Sequence, residues 1–174
     1  MPHQKRKITI NVLIITKTLL FLSTFFIAHA FTKTVSAQDA PAAESIRQEI
    51  LAHGDSIRKA FGDSDLHRIR LLHHPEVVKA LGYNDVKNGR EEVIKGISET
   101  LQNFRLDFVQ NDVENIWIRD GIAIEQTRFS IQGTPRDGGE PFVFKGRTMV
   151  TYVRSKESPT GWATIREIIQ PATE

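Results

Sequence analysis

Residues 113–132 read VENIWIRDGIAIEQTRFSIQ, and the order of residue types in this stretch decides the fold class. Asp120-Gly121 is a pair that tolerates the positive φ angles of a two-residue hairpin turn, so it predicts two antiparallel strands folded on each other. Residues two apart share a face of a strand. On Ile122–Gln132 the set Ala123, Glu125, Thr127, Phe129 and Ile131 is the more apolar and is expected to face inward, with Gln126, Arg128 and Ser130 facing out.

Downstream and upstream of this hairpin, strand-like runs cover Leu106–Gln110, Val113–Arg119, Pro141–Arg154 and Gly161–Gln170. Gly133–Gly139 supplies a longer loop and Ser158-Pro159-Thr160-Gly161 another turn. Earlier in the chain the period changes. Ile46, Ile50, Ile57 and Phe61 recur at helical spacing and predict a helix from Glu44 to Phe61. Gly62-Asp63-Ser64-Asp65 ends it and offers caps for a short second helix, in which Leu66, Ile69 and Leu72 share a side before His73-His74-Pro75 stops it. Val93, Ile97 and Leu101, with Ile94 beside them, predict a third helix from Arg90 to Leu101. Glu76–Leu81 fits either a strand or a helix. Three amphipathic helices followed by an antiparallel meander define an α+β class.

The 174 residues, 40% hydrophobic and 25% charged, suffice for one domain with a single modest core. The formal charge of +2 conceals an asymmetry. Lys5, Arg6, Lys7, Lys17 and Lys33 precede Gln38; beyond that point 18 basic residues meet 21 acidic ones, leaving −3. A mildly acidic domain with no basic arm and no zinc-finger spacing excludes the usual nucleic-acid binders.

Lys5-Arg6-Lys7, the apolar run from Leu19 to Ala28 and the small-residue sites Ala28-His29-Ala30 and Val35-Ser36-Ala37 compose a secretory signal. The expectation is a signal peptide over 1–37, a leader over 38–44, a domain over 45–171, and a periplasmic or secreted product without membrane attachment after cleavage. Cleavage after Ala30 is the alternative, and an uncleaved anchor from Ile8 to Ala30 is the competing reading. Lys17 and several threonines interrupt that stretch, and no stop-transfer cluster follows it. The chain has no cysteine, which removes disulfides, thiolate nucleophiles and Cys-ligated metals.

Several local phrases, in this order, resemble the nuclear transport factor 2-like superfamily, and within it small SnoaL-like bacterial proteins. They are His74-Pro75-Glu76-Val77-Val78, Gly89-Arg90-Glu91, Asp120-Gly121-Ile122-Ala123, Gly146-Arg147 and Gly161-Trp162-Ala163-Thr164-Ile165, spread over Ser45–Pro171. The resemblance implies a curved sheet wrapped around three N-terminal helices as a cone, a pocket at the open end, and a homodimer. It leaves the activity open, because one fold hosts many functions. The isomerase pattern of that superfamily needs an acid where Val78–Gly82 has none and a tyrosine in the first helix. Its epoxide-hydrolase pattern falls on Thr127, Phe129 and Thr164, which carry no carboxylate, while Arg105-Leu106-Asp107 has the right spacing but lies too early.

The remaining candidates are ordinary groups. Glu125, inward in an apolar cone, would have a raised pKa and could move protons together with His74; paired with Arg166 or Arg147 it would be inert. Tyr83, Thr127, Phe129, Trp162, Thr164 and Arg166 are the expected ligand-binding residues, with Arg166 placed to stabilise an oxyanion. The last strand divides into the sets Trp162, Thr164, Arg166, Ile168 and Ala163, Ile165, Glu167, Ile169; the resemblance favours the first as inward, and a bulge would reverse it. His73 and His74 are adjacent and diverge, so no metal is expected, nor any cofactor. Three readings stay open: binding of a small, partly apolar organic molecule without turnover; a cofactor-free acid/base isomerase, lyase or hydrolase; and a protein-interaction module with a vestigial pocket. An open pocket with Glu125 unpaired favours the second, and one with Glu125 salt-bridged favours the first.

Overall fold

In the computed structural model, which describes residues 39–172, Asp120 and Gly121 adopt φ of 51° and 78° and close the expected hairpin. It joins β3 (Phe104–Arg119) to β4 (Ile122–Pro135) in register from Arg119↔Ile122 to Phe104↔Pro135. The two runs Leu106–Gln110 and Val113–Arg119 are therefore one long strand. Register shifts between Phe108 and Gln110 and between Val113 and Asn115 are the bulges that disguise its periodicity.

Helices precede the meander. Helix α1 (Asp39–Gly62) takes up most of the expected leader as its first turns, with Pro41 near the start, where a missing N–H costs nothing. Asp65 caps α2 (Leu66–Leu71), its carboxylate accepting from the Arg68 N–H at 2.9 Å. The ambiguous segment is a strand: β1 (His73–Gly82) turns at Tyr83 into β2 (Asp85–Asn88), and Gly89 opens α3 (Arg90–Asn103). With β5 (Phe142–Arg154) and β6 (Trp162–Pro171) these make a six-stranded sheet in the order β2-β1-β6-β5-β4-β3. Only β1 and β6 pair in parallel, as the helical connections between them and the meander require.

Two apolar clusters hold the helices to one face of the sheet. Ile50 of α1 packs with Ile116, Ala123, Val150, Tyr152 and Trp162. Ala60, Ile69, Leu72 and Leu101 join the three helices to one another. Each fully buried aliphatic side chain contributes ~1.5–3 kcal/mol relative to exposure. Ile57 belongs to the margins of both clusters, and the gap between them is where the cavity lies. At Gly146 a Cβ would stand 2.6 Å from the Gln170 carbonyl and 3.0 Å from the Phe129 ring, so the bare backbone there is what lets that ring come close to β5.

The expected signal peptide and both of its cleavage sites lie outside the described residues. Among those that are described, no helix is long and apolar enough to cross a membrane.

Candidate functional site

The inward set of β4 is as expected: Ala123, Glu125, Thr127 and Phe129 are buried, and Glu125, Thr127, Phe129 and Ile131 line a cavity of about 560 Å³ that opens to solvent, whereas Ser130, expected to be out with Gln126 and Arg128, is itself buried beside Gln110 of β3. Its walls are apolar, with Phe61 of α1, Ile97 of α3, Phe104, Leu106 and Phe108 of β3, and Phe144 of β5. Polar side chains enter the lining around Glu125 from β1, β4, β5 and β6, and Asp85 and Lys87 of β2 and Glu99 and Asn103 of α3 add charged and polar groups to it.

Glu125 sits there, 3% exposed. The Thr127 hydroxyl donates to its Oε1 at 2.7 Å, and Oε2 has no partner among the described residues. Among the described residues no cation lies within salt-bridge distance of it; Arg147, one of the two expected partners, is bound to Glu114 on the outer face. Burial pushes the Glu125 carboxyl above the usual carboxylate range; the Thr127 hydrogen bond and the Arg58 charge oppose this and Glu167 reinforces it.

Across the sheet from Glu125 stands Lys79 of β1, ion-paired at 2.6 Å with Glu167 of β6, both side chains largely buried. Beside Lys79 is His73, 1% exposed, whose Nδ1 lies 2.7 Å from the Ile69 carbonyl. A carbonyl only accepts, so Nδ1 carries the proton and Nε2 is a bare acceptor. Burial, then the charge of Lys79, depress the His73 pKa to about 3, so the ring is neutral. Tyr152 completes the floor; burial and then the Glu125 charge raise its phenol well above the ordinary value, which keeps it a donor. Behind it, outside the cavity lining, His53 lies edge-on to the Tyr152 ring at 5.0 Å with Nδ1 2.6 Å from the Thr160 hydroxyl, and burial lowers its pKa to about 3.

Four expectations need correction. Arg166 does not reach the cavity: the register of β5 with β6 slips between Thr151 and Tyr152, making Ile165 a bulge, so parity reverses after Thr164. Glu167 and Ile169 face inward instead, while Arg166 faces out and donates to the Glu76 carbonyl at 2.9 Å. His74 is on the opposite face of β1 from His73, accepting from the Glu76 N–H at 3.2 Å, so the histidine of the site is His73. Tyr83, in the β1–β2 turn, is 98% exposed. Trp162 is buried but belongs to the core, its indole donating to Glu49 at 2.8 Å with Arg154 stacked 4.0 Å over the ring. Thr127, Phe129 and Thr164 line the cavity as expected, the Thr164 hydroxyl without a partner among the described residues. Arg105 and Asp107 pair with each other on the surface, away from the floor.

A six-stranded sheet with three helices on one face and a cavity lined by both layers is an α+β architecture. Comparison with solved structures shows that it is the nuclear transport factor 2-like fold. A conserved protein from Planctomyces limnophilus superposes with a TM-score of 0.66 at 21% identity, covering 74% of this chain and 99% of that one. A nuclear transport factor 2-like superfamily protein from Salmonella enterica Typhimurium gives 0.64 at 14%, covering 76% and 94%. A ketosteroid isomerase-like protein from Erwinia carotovora atroseptica gives 0.62 at 12%, covering 73% and 96%. No protein-family model matches the sequence, and no curated protein does.

Proposed function

We propose that this chain is an exported, SnoaL-like, cofactor-free acid/base enzyme acting on a small, partly apolar organic molecule, with Glu125 carrying the proton. The observation behind this reading is the state of Glu125: buried, unpaired by any cation among the described residues, and presenting one bare oxygen. A buried carboxyl with a raised pKa and no ion-pair partner can give and take a proton, where an ion-paired carboxylate would be inert. Lys79, in place of Arg166, is the cation on the floor, and Tyr152 and Thr164 add hydroxyls. Donors fixed in a dry site stabilise developing charge more strongly than they would in water. Export rests on the basic, apolar and small-residue segments between Lys5 and Ala37.

Native mass spectrometry of the purified protein, comparing wild type with Glu125→Gln, tests the reading. A small molecule that accumulates only on the Gln variant is the expected result, because binding persists while turnover stops. The same molecule retained by both would support binding without turnover, and no ligand on either would count against both.

The expected homodimer is proposed to form through the outer face of the sheet. There Val86, Ala80, Ile168 and Met149 line up across four adjacent strands, and Ile168 is 60% exposed. A straight apolar row of this kind on a soluble domain marks a surface that a partner covers.

A further inference from the structure

The polar end of the cavity has a charge balance that selects its ligand. Three cations line it, and each already has a counterion: Lys79 holds Glu167, Lys87 beside it in the β1–β2 ladder holds Asp85 at 3.0 Å, and Arg58 holds Asp55 at 2.5 Å. Among the described residues of the lining, Glu125 is the buried carboxyl without a counterion, and its environment suits the neutral form. A carboxylate can accept about four hydrogen bonds. Glu125 receives one, from Thr127 to Oε1, and Oε2 is bare. A protonated carboxyl needs fewer donors around it and turns the bare oxygen into a donor aimed at whatever enters. His73 Nε2, fixed as an acceptor by the bond from Nδ1 to Ile69, contributes no charge either.

The apolar end fits a flat body. Phe61 and Phe108 meet at 6.2 Å with their planes at 71°, and Phe129 and Phe144 at 5.5 Å and 49°, so two aromatic pairs face the cavity from different elements. Such pairs present ring faces and edges to a planar guest.

We infer that the site takes an uncharged ligand with a flat apolar body and a carbonyl or hydroxyl oxygen as its head, and that Glu125 Oε2 grips that oxygen by donating a hydrogen bond. This rests on the proposed placement of the ligand over Glu125, but it concerns recognition rather than turnover. A carboxylate head would be desolvated with all three cations already committed, beside Glu125 and Glu167. An ammonium head would have to ionise Glu125 in the field of Lys79 and Arg58. Either costs more than burying a carbonyl that receives a hydrogen bond. The upward displacement of the Glu125 pKa by burial has the same direction.

Three probes with one body and different heads test this: 2-acetylnaphthalene, 2-naphthoate and 2-(aminomethyl)naphthalene, titrated into the full-length mature protein by calorimetry near neutral pH. The ketone is expected to bind at least about tenfold more tightly than either charged probe. Glu125→Gln, whose amide can donate from the same place, should hold the ketone within about threefold of wild type, and Glu125→Leu should lose about tenfold or more. Circular dichroism melts of both variants establish that they are folded. Equal or tighter binding of the carboxylate or the ammonium, an unchanged ketone affinity in Glu125→Leu, or no ketone binding at all would overturn the inference. Ketone selectivity with no turnover of any neutral substrate would leave it standing and sink the acid/base reading. Turnover of an anionic substrate that depends on Glu125 would do the reverse.

Discussion

The two buried histidines should make this protein sensitive to mild acid, and the size of the effect follows from their surroundings. His53 and His73 are each shifted from an ordinary 6.5 to about 3, because burial penalises the imidazolium. The unfolded chain binds a proton on each as the pH falls below 6.5 while the folded chain does not, so stability present above that value is lost on the way down toward 3. Between about pH 7.5 and about pH 5, each histidine withdraws ~2 kcal/mol, and the pair ~4 kcal/mol, a large part of the stability of a small domain. Glu125 acts in the opposite sense, since its raised pKa favours the folded state as protons are added. That contribution is shared by a variant that retains Glu125, so a difference between two proteins isolates the histidine. The variant is His73→Asn, whose amide can still donate to the Ile69 carbonyl. Urea unfolding followed by circular dichroism at the two pH values should show the variant losing ~2 kcal/mol less than wild type, whatever its stability at the higher pH. Equal losses in the two proteins would refute the argument, because His73 would then be taking up its proton in the folded state.

Further outcomes follow from other parts of the structure. Glu125→Gln should lower turnover by about 10²–10⁴-fold, the usual worth of a proton-transfer group, with the thermal midpoint unchanged or raised; product formation from the ligand identified by mass spectrometry is the readout. Removing one partner of the buried Lys79–Glu167 pair, as in Lys79→Met, should cost about 3–5 kcal/mol, and Lys79→Met with Glu167→Leu should recover most of it, measured by chemical unfolding. Gly146→Ala should cost ~1–3 kcal/mol, because the added methyl meets the fixed Gln170 carbonyl and the Phe129 ring together. If the outer sheet face is an interface between copies, Ile168→Lys should shift sedimentation toward a monomer and leave the circular dichroism spectrum intact.

How far the site could be read from the sequence depended on the strand concerned. On β4 the alternation runs unbroken from Ile122 to Phe129 before Ser130 interrupts it, so Glu125, Thr127 and Phe129 could be placed by parity alone. The phase of β6 is set by the bulge at Ile165, a property of its pairing with β5 that leaves no mark in either strand taken singly. Arg166 and Glu167 therefore exchanged places. The segment before the third helix has apolar residues at both parities, Val77 and Leu81 on one and Val78 and Ala80 on the other, so neither strand nor facing could be decided there. That hid Lys79 and made His74 look equivalent to His73. Tyr83 was misjudged for a different reason. Tyr83 and Asn84 are themselves the turn between the paired Gly82 and Asp85, and a turn this tight leaves an aromatic ring no wall to lie against. Trp162 was correctly expected to be inside, but nothing in its own sequence neighbourhood distinguishes the cavity from the core cluster beneath α1.

The bulge at Ile165 carries a consequence for how such a protein can change. A strand alternates its side chains between two environments, and one residue more or less transposes everything beyond that point. Deleting Ile165 would leave the facing as it is, because Arg166 would then follow Thr164 directly, opposite Thr151, with Glu167 and Ile169 still toward the cavity. A change that irons out the bulge while keeping its residue would do the opposite. Arg166 and Ile168 would take the inward places, and Lys79 would lose Glu167 and face a second cation. The electrostatic sign of the chamber thus rests on one residue that the ladder leaves out of its count.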